Sequence, residues 1–269
     1  DLATVGIAPL TSMFFIGETD RGHSDDYRPE LHDSDGLQIA AGSGEWLWRP
    51  LDNPQNRRIS TFLDRDPKGF GLMQRDRAFA SYQDLEAGYE RRPGYFVEPE
   101  GAWGEGSVVL MELPTDNETA DNIVAFWRPR QPYRAGAPVR LAYRIRAHTG
   151  EDLHPNGKVV NTFIVEPAAS GAARRAADAT ALRSRRFLID FGGGALKTLL
   201  DDPSPPEIVA SASAGRIVAT SIVANPHVGG FRAALDVRLD GPGATELRAY
   251  LRKGDQALTE TWSFPWSAA

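Results

Sequence analysis

Residues 235–252 read LDVRLDGPGATELRAYLR, and the fold class follows from this stretch. Leu235, Val237 and Leu239 alternate with Asp236 and Arg238, and Leu247, Ala249 and Leu251 alternate with Arg248 and Arg252. Strict alternation puts apolar side chains on one face of a strand and charged ones on the other. Phe187, Ile189 and Phe191 repeat the pattern. So do Val139, Leu141, Tyr143 and Ile145, set against Arg140, Arg144 and Arg146. Throughout the chain, 26 glycines and 19 prolines cut such runs into short pieces. This is the writing of half-buried antiparallel strands, so we expect an all-β protein. No G-x-G-x-x-G, P-loop or βαβ rhythm is present. GFGL at 69–72 and FGGG at 191–194 read as turn or strand-end glycines. Helix is expected for a turn or two at 82–90, and at 168–186 as either a short surface helix or a loop.

The character of the chain changes near residue 150. Four of the six tryptophans, Trp46, Trp48, Trp103 and Trp127, lie before it. After it come about seven short strands, the rhythm of an immunoglobulin-like sandwich. TGEDLHPNGK at 149–158 reads as the linker, giving domains 1–150 and 151–269. A net charge of −6 argues against nucleic acid or an anionic membrane as partner. There is no apolar run long enough to span a bilayer and no signal-peptide pattern. Cysteine is absent and the five histidines are scattered without metal-ligand spacing, so neither a metal nor a cofactor is expected.

One segment carries more chemistry than any other. Residues 25–50, DDYRPELHDSDGLQIAAGSGEWLWRP, gather Asp33, Asp35, His32, Arg28, Tyr27, Trp46 and Trp48 into turn-rich sequence. A second cluster, PTDNETADNIVAFW at 114–127, adds Glu118, Asp121 and Trp127. Carboxylates and guanidinium groups hydrogen-bond sugar hydroxyls, and indole rings stack on the apolar face of a pyranose. Trp103 is a further candidate platform. The same residues also have plainer readings. Asp, Ser and Gly clusters build turns, Trp46 and Trp48 share a strand face that serves a core equally well, and Asp121 before Asn-Ile-Val is ordinary capping chemistry. Glu105, Glu112 and Glu118 are rival carboxylates.

The strings APLTSMFFIGETDR, DDYRPELHDSDGLQI, GEWLWRPL, GFGLMQR and WGEGSVVLMELPTDNETADNIVAFW resemble the periplasmic glucan biosynthesis proteins G and D of Gram-negative bacteria. The likeness runs from Gly6 to Trp127, weakens after residue 150 and returns at LTETWSF. It implies a large β-sandwich similar to galactose mutarotase, followed by an immunoglobulin-like domain. Family members extend further at the N-terminus, so the resemblance places this chain as their C-terminal half, with the missing N-terminal portion completing the first domain. It implies a periplasmic location and a role in making osmoregulated β-1,2-linked glucan. It further implies an inverting endo-β-1,2-glucanase that trims or releases the glucan, or else a non-catalytic scaffold that holds glucan and assists a membrane glucosyltransferase. Carried over by motif, the general acid is Asp121, the general base is Asp33, with Asp35 as its competitor, and Tyr89 belongs to the substrate and proton-relay region. The chemistry fits: one carboxyl protonates the leaving oxygen while another, about 6.5–9.5 Å away, activates water. Trp127 or Phe126 is expected to desolvate Asp121 and raise its pKa, while Asp33 is expected in a polar turn that keeps it ionised.

Overall fold

The computed structural model describes residues 5–20, 26–134, 136–150, 153–154, 156–165 and 183–268. It is all-β, with one short α-helix and a few single 3₁₀ turns among the described residues. The chain divides into two compact units, Asp1–Leu153 and His154–Ala269.

In the first unit the strands are β1 (Ile7–Ser12), β2 (Phe14–Ile16), β3 (Leu31–His32), β4 (Gly36–Ala40), β5 (Trp46–Pro50), β6 (Arg58–Arg65), β7 (Gly69–Met73), β8 (Gly94–Glu100), β9 (Glu105–Glu112), β10 (Ile123–Pro129) and β11 (Ala142–His148). One sheet runs β1-β10-β9-β6 and another places β11, β8, β7, β4 and β5 side by side. Their facing sides share one core. Leu37, Ile39, Leu47, Phe70, Leu72 and Val97 come from one sheet, and Leu10, Val108, Leu110, Ile123, Ala125 and Trp127 from the other. This is sandwich packing of two antiparallel sheets. The short β2–β3 pair carries a satellite core of Met13, Ile16, Leu31, Tyr82 and Tyr89.

Every residue of β4 and β7 is buried, as befits central strands covered on both faces. GFGL is therefore the body of β7 and not a turn. The reason is steric: a Cβ at Gly71 would sit 2.3 Å from the Tyr95 carbonyl oxygen, so only glycine lets β8 lie this close. The helical expectation at 82–90 shifts. The α-helix α1 spans Phe79–Tyr82 and ends at Gln83, whose φ is +54°, and a 3₁₀ turn occupies Tyr89–Arg91. Only the second part of the 139–145 alternation is strand, since β11 begins at Ala142, and Val139, Tyr143 and Ile145 are exposed rather than half-buried. β11 pairs with β8 through Ala142–His148, and Tyr143 sets its ring against Trp103 at 6.0 Å.

The second unit holds β12 (Lys158–Val165), β13 (Ser184–Gly192), β14 (Glu207–Ala212), β15 (Arg216–Asn225), β16 (Gly230–Arg238), β17 (Gly243–Lys253), β18 (Gln256–Ala257) and β19 (Thr261–Ala268). One sheet runs β12-β13-β16-β15, and β17 pairs with β14, β18 and β19. The predicted alternations hold here: Phe187, Ile189, Phe191, Leu235, Val237, Leu247, Ala249 and Leu251 are all buried. Phe187 from one sheet meets Trp262, Phe264 and Trp266 from the other at ring distances of 5.8–5.9 Å. Most of the 168–186 segment lies outside the described residues.

Candidate functional site

Residues 11–14, at the junction of β1 and β2, bring the two acidic motifs together. The Asp33 N–H donates to the Met13 carbonyl at 2.9 Å, and Ser12 Oγ donates to Ser34 Oγ at 2.9 Å. On the other side, Asn122 Oδ1 accepts the Phe14 N–H at 2.8 Å, and its Nδ2 donates to the carbonyls of Phe14 and Leu113 at 2.9 Å each. The buried Asn122 amide thus imitates a strand partner and fixes the start of β10. Thr11 Oγ1 then reaches Asp121 Oδ2 at 3.4 Å. Asp33 and Asp121 are distant in sequence, yet both hang from this one stretch.

A second cluster borders the pair. The Tyr89 hydroxyl donates to Glu118 Oε2 at 3.0 Å, and Arg28 Nη1 meets the same oxygen at 2.9 Å. Arg28 also binds Asp26 and Asp84, at 2.8 and 2.7 Å. Hydrogen bonding from Asp26, against the cost of burial and with help from Asp84 and Glu118, pushes the Arg28 pKa up. Asp84 is held below its usual range by the Ala87 N–H and then by Arg28. Arg28 is therefore a fixed cation, and Tyr89, its pKa raised by burial and by Glu118, stays a neutral phenol whose proton is committed to Glu118. Tyr27 is 75% exposed and lies beside the Arg28 guanidinium.

Asp33 departs from the expected polar turn. Burial raises its pKa, and the charge of Asp121 raises it further. Arg92, with Nε 3.4 Å from Asp33 Oδ1, and His32 both oppose the rise. Asp35 is tied to the backbone instead. Its Oδ2 accepts the N–H groups of Arg75 and Asp76 at 2.9 Å, which caps the end of β7. Burial pushes its pKa up as well, with His32 opposing. His32 is only 1% exposed and stacks on Phe14 with ring centroids 5.2 Å apart, so it lies beneath the site and cannot touch a substrate.

The periplasmic glucan biosynthesis protein model, MdoG, matches residues 1–266. The chain belongs to this family. It is 44% identical to the probable glucans biosynthesis protein D of Shewanella oneidensis over 98% of this chain and 48% of the relative. Glucans biosynthesis protein G of Shewanella sp. (strain MR-7) is 44% identical over 99% of this chain and 47% of its own length. Glucans biosynthesis protein D of Stenotrophomonas maltophilia is 43% identical over 98% and 48%. The chain spans about half the length of these curated relatives.

Within this member of the glucan biosynthesis family, the structure gathers Asp33, Asp121, Tyr89, Arg28, Glu118 and Tyr27 around one surface, with His32 and Asp35 below it. It does not gather the tryptophans. Trp127 and Trp103 are buried against each other in the core, with rings 6.1 Å apart. Trp48 is 3% exposed, and the Arg75 guanidinium covers its ring at 3.5 Å. Trp46 is half-buried, but it pairs with Ala40 at the far end of the β4–β5 hairpin, whereas the Asp33 turn adjoins the Gly36–Pro50 end. A five-residue strand separates those ends by roughly 15 Å. The expected desolvation of Asp121 also fails. Asp121 is exposed, while Trp127 faces the core from within β10. Among the rivals, Glu105 is an exposed partner of Arg65 and Arg130, and Glu112 is fully buried against Arg49. The sequence reading missed Arg92, Asn122, Gln74 and Glu30. Arg92 and Asn122 sit next to named motifs, in YERRPGY and ETADNIV, and a search for partners of Tyr89 and Asp121 would have met them.

Proposed function

We propose that this chain forms the acidic half of a glucan-handling cleft in a periplasmic protein of glucan biosynthesis, and that the cleft hydrolyses β-1,2-linked glucan with inversion. The observation that carries the reading is the convergence of Asp33 and Asp121 on the residue 11–14 stretch, close enough for the charge of one to raise the pKa of the other. In this reading Asp121 delivers a proton to the leaving oxygen. Asp33 takes a proton from water on the opposite side of the ring. Its burial works against ionisation, and the charges of Arg92 and His32 work for it. Tyr89, with its own proton held by Glu118, presents oxygen lone pairs to a water or sugar hydroxyl. Exposed Tyr27 supplies an aromatic face for a pyranose. In this reading residues outside this chain supply the rest of the cleft; the chain's coverage of 48% of the Shewanella oneidensis relative supports it.

One observation favours a second reading, in which the cleft holds glucan for a membrane glucosyltransferase without cutting it. Asp121 is exposed, with a threonine hydroxyl as its hydrogen-bond donor, and carries no apolar cover of the kind that tunes a general acid. Incubating the purified full-length protein with linear β-1,2-glucan separates the two. Shortened chains whose fresh reducing ends show inverted configuration by proton NMR support hydrolysis. Saturable binding with no new reducing ends supports the scaffold.

A further inference from the structure

Beneath the site lies a buried polar chain centred on His32, whose other members, Glu30 and Gln74, neither reading uses. Glu30 Oε2 is 2.9 Å from His32 Nε2, and Gln74 Oε1 is 3.0 Å from His32 Nδ1. Glu30, His32 and Gln74 are each 1–2% exposed. The Gln74 amide has only one sensible orientation. Its Nε2 faces the carbonyl oxygens of His32 and Tyr89 at 3.0 and 3.1 Å and the Tyr82 hydroxyl at 2.9 Å. Turning the amide over would press an oxygen against two carbonyl oxygens. Gln74 must therefore offer its oxygen to Nδ1, while a carboxylate faces Nε2. Rotating the imidazole by half a turn would put Cδ2 and Cε1 where the nitrogens stand and lose both contacts, so the ring has one orientation. With Glu30 ionised, a neutral imidazole, which has one N–H, would leave a buried acceptor facing a lone pair.

We propose that His32 is a positioning residue, a doubly protonated imidazole clamped between Glu30 and Gln74, whose fixed charge and paired hydrogen bonds hold the turn that presents Asp33. Every element packed on the ring agrees. Glu30 immediately precedes β3, and the Asp33 and Asp35 carboxyls follow His32 in the turn. Tyr82 of α1 presents its ring edge at 5.2 Å while its hydroxyl donates to the Asp76 carbonyl. Phe14 of β2 stacks from the other side. No cation faces the imidazole among these groups. Burial opposes the charged ring, but the Glu30 hydrogen bond and charge together with Asp35 and Gln74 raise its pKa.

This inference rests on Asp33 being a glucan-facing carboxylate, and its test needs no turnover. In ¹⁵N-histidine-labelled full-length protein at pH 7.5, we expect both His32 ring nitrogens to carry a proton. A ring with one bare nitrogen would overturn the proposal. In His32→Gln, the Asp33 carboxyl followed by ¹³C NMR should titrate at higher pH than in the wild type, because the opposing cation is gone; an unmoved midpoint would also overturn it. If the protein hydrolyses glucan, the same variant should lose turnover by about 10–10²-fold with KM unchanged, the mark of misplacement rather than lost binding. Should His32→Gln not fold, the wild-type imidazole spectrum decides alone. Glucan bound but uncut would remove the hydrolytic reading and leave both NMR outcomes interpretable.

Discussion

At Asp33 the requirements of function and stability oppose each other. Its folded-state pKa lies above the unfolded value, so the native state binds its proton more tightly than the unfolded chain does. Stability from this group is greatest below the unfolded pKa and falls as pH rises through the folded one. Asp33→Asn removes that loss. We expect a higher Tm than wild type at pH 7.5, a difference that vanishes below about pH 4, and abolished glucan cleavage. An unchanged or lower Tm at pH 7.5 would show that the Arg92 pairing outweighs burial. Asp121 differs because it is exposed. Asp121→Asn should leave the Tm within experimental error and lower turnover by roughly 10²–10⁴-fold, the usual contribution of a general acid; sugar release at wild-type rate would remove it from the mechanism. Asp33 and Asp121 were singled out by the motifs around them. Their environments were not, because burial depends on which strands cover a residue. Phe126 and Trp127 follow Asp121 closely in sequence, yet β10 turns Trp127 into the core and leaves the carboxylate outside.

At the scale of elements, alternation in sequence located strands well and their exposure less well. Residues 235–239 and 247–251 became strands with the predicted face buried. The equally regular 139–145 run became strand only from Ala142, and there Tyr143 and Ile145 are exposed, because alternation reports which residues share a face and not whether that face is covered. The junction of β1, β2 and β10 depends on Asn122. Asn122→Ala leaves the buried N–H of Phe14 and two carbonyls without this partner. At about 1 kcal/mol or somewhat more for each such loss, we expect a destabilisation of roughly 2–4 kcal/mol in urea titration. Asn122→Asp keeps the acceptor for Phe14 but places a charge against two carbonyls, and should be no better. A cost below that of one hydrogen bond would mean that the strands hold register without the amide.

Across the first unit, a buried ion pair ties one sheet to the other. Arg49 of β5 meets Glu112 of β9 at 2.9 Å with both side chains fully buried, and Glu112 Oε1 accepts the Asp52 N–H at 3.0 Å. Arg49 also donates to the Pro50 carbonyl. Burial raises the Glu112 pKa while Arg49 and Arg58 oppose it. Glu112→Ala strands a buried guanidinium and should cost about 3–5 kcal/mol, measured as a lower midpoint in guanidinium chloride. Nothing in the sequence marked Glu112 as structural, since its partners lie on other strands. The stretch at residues 11–14 has a consequence in time. The amides of Phe14, Asp33 and Leu113 donate to Asn122 Oδ1, the Met13 carbonyl and the Asn122 carbonyl, so each is locked by the same knot. Their exchange with deuterated solvent should therefore report one common opening free energy, that of a single cooperative opening. The carboxylate pair would then never be half assembled: a molecule has both groups in place, or it has lost the junction that defines them.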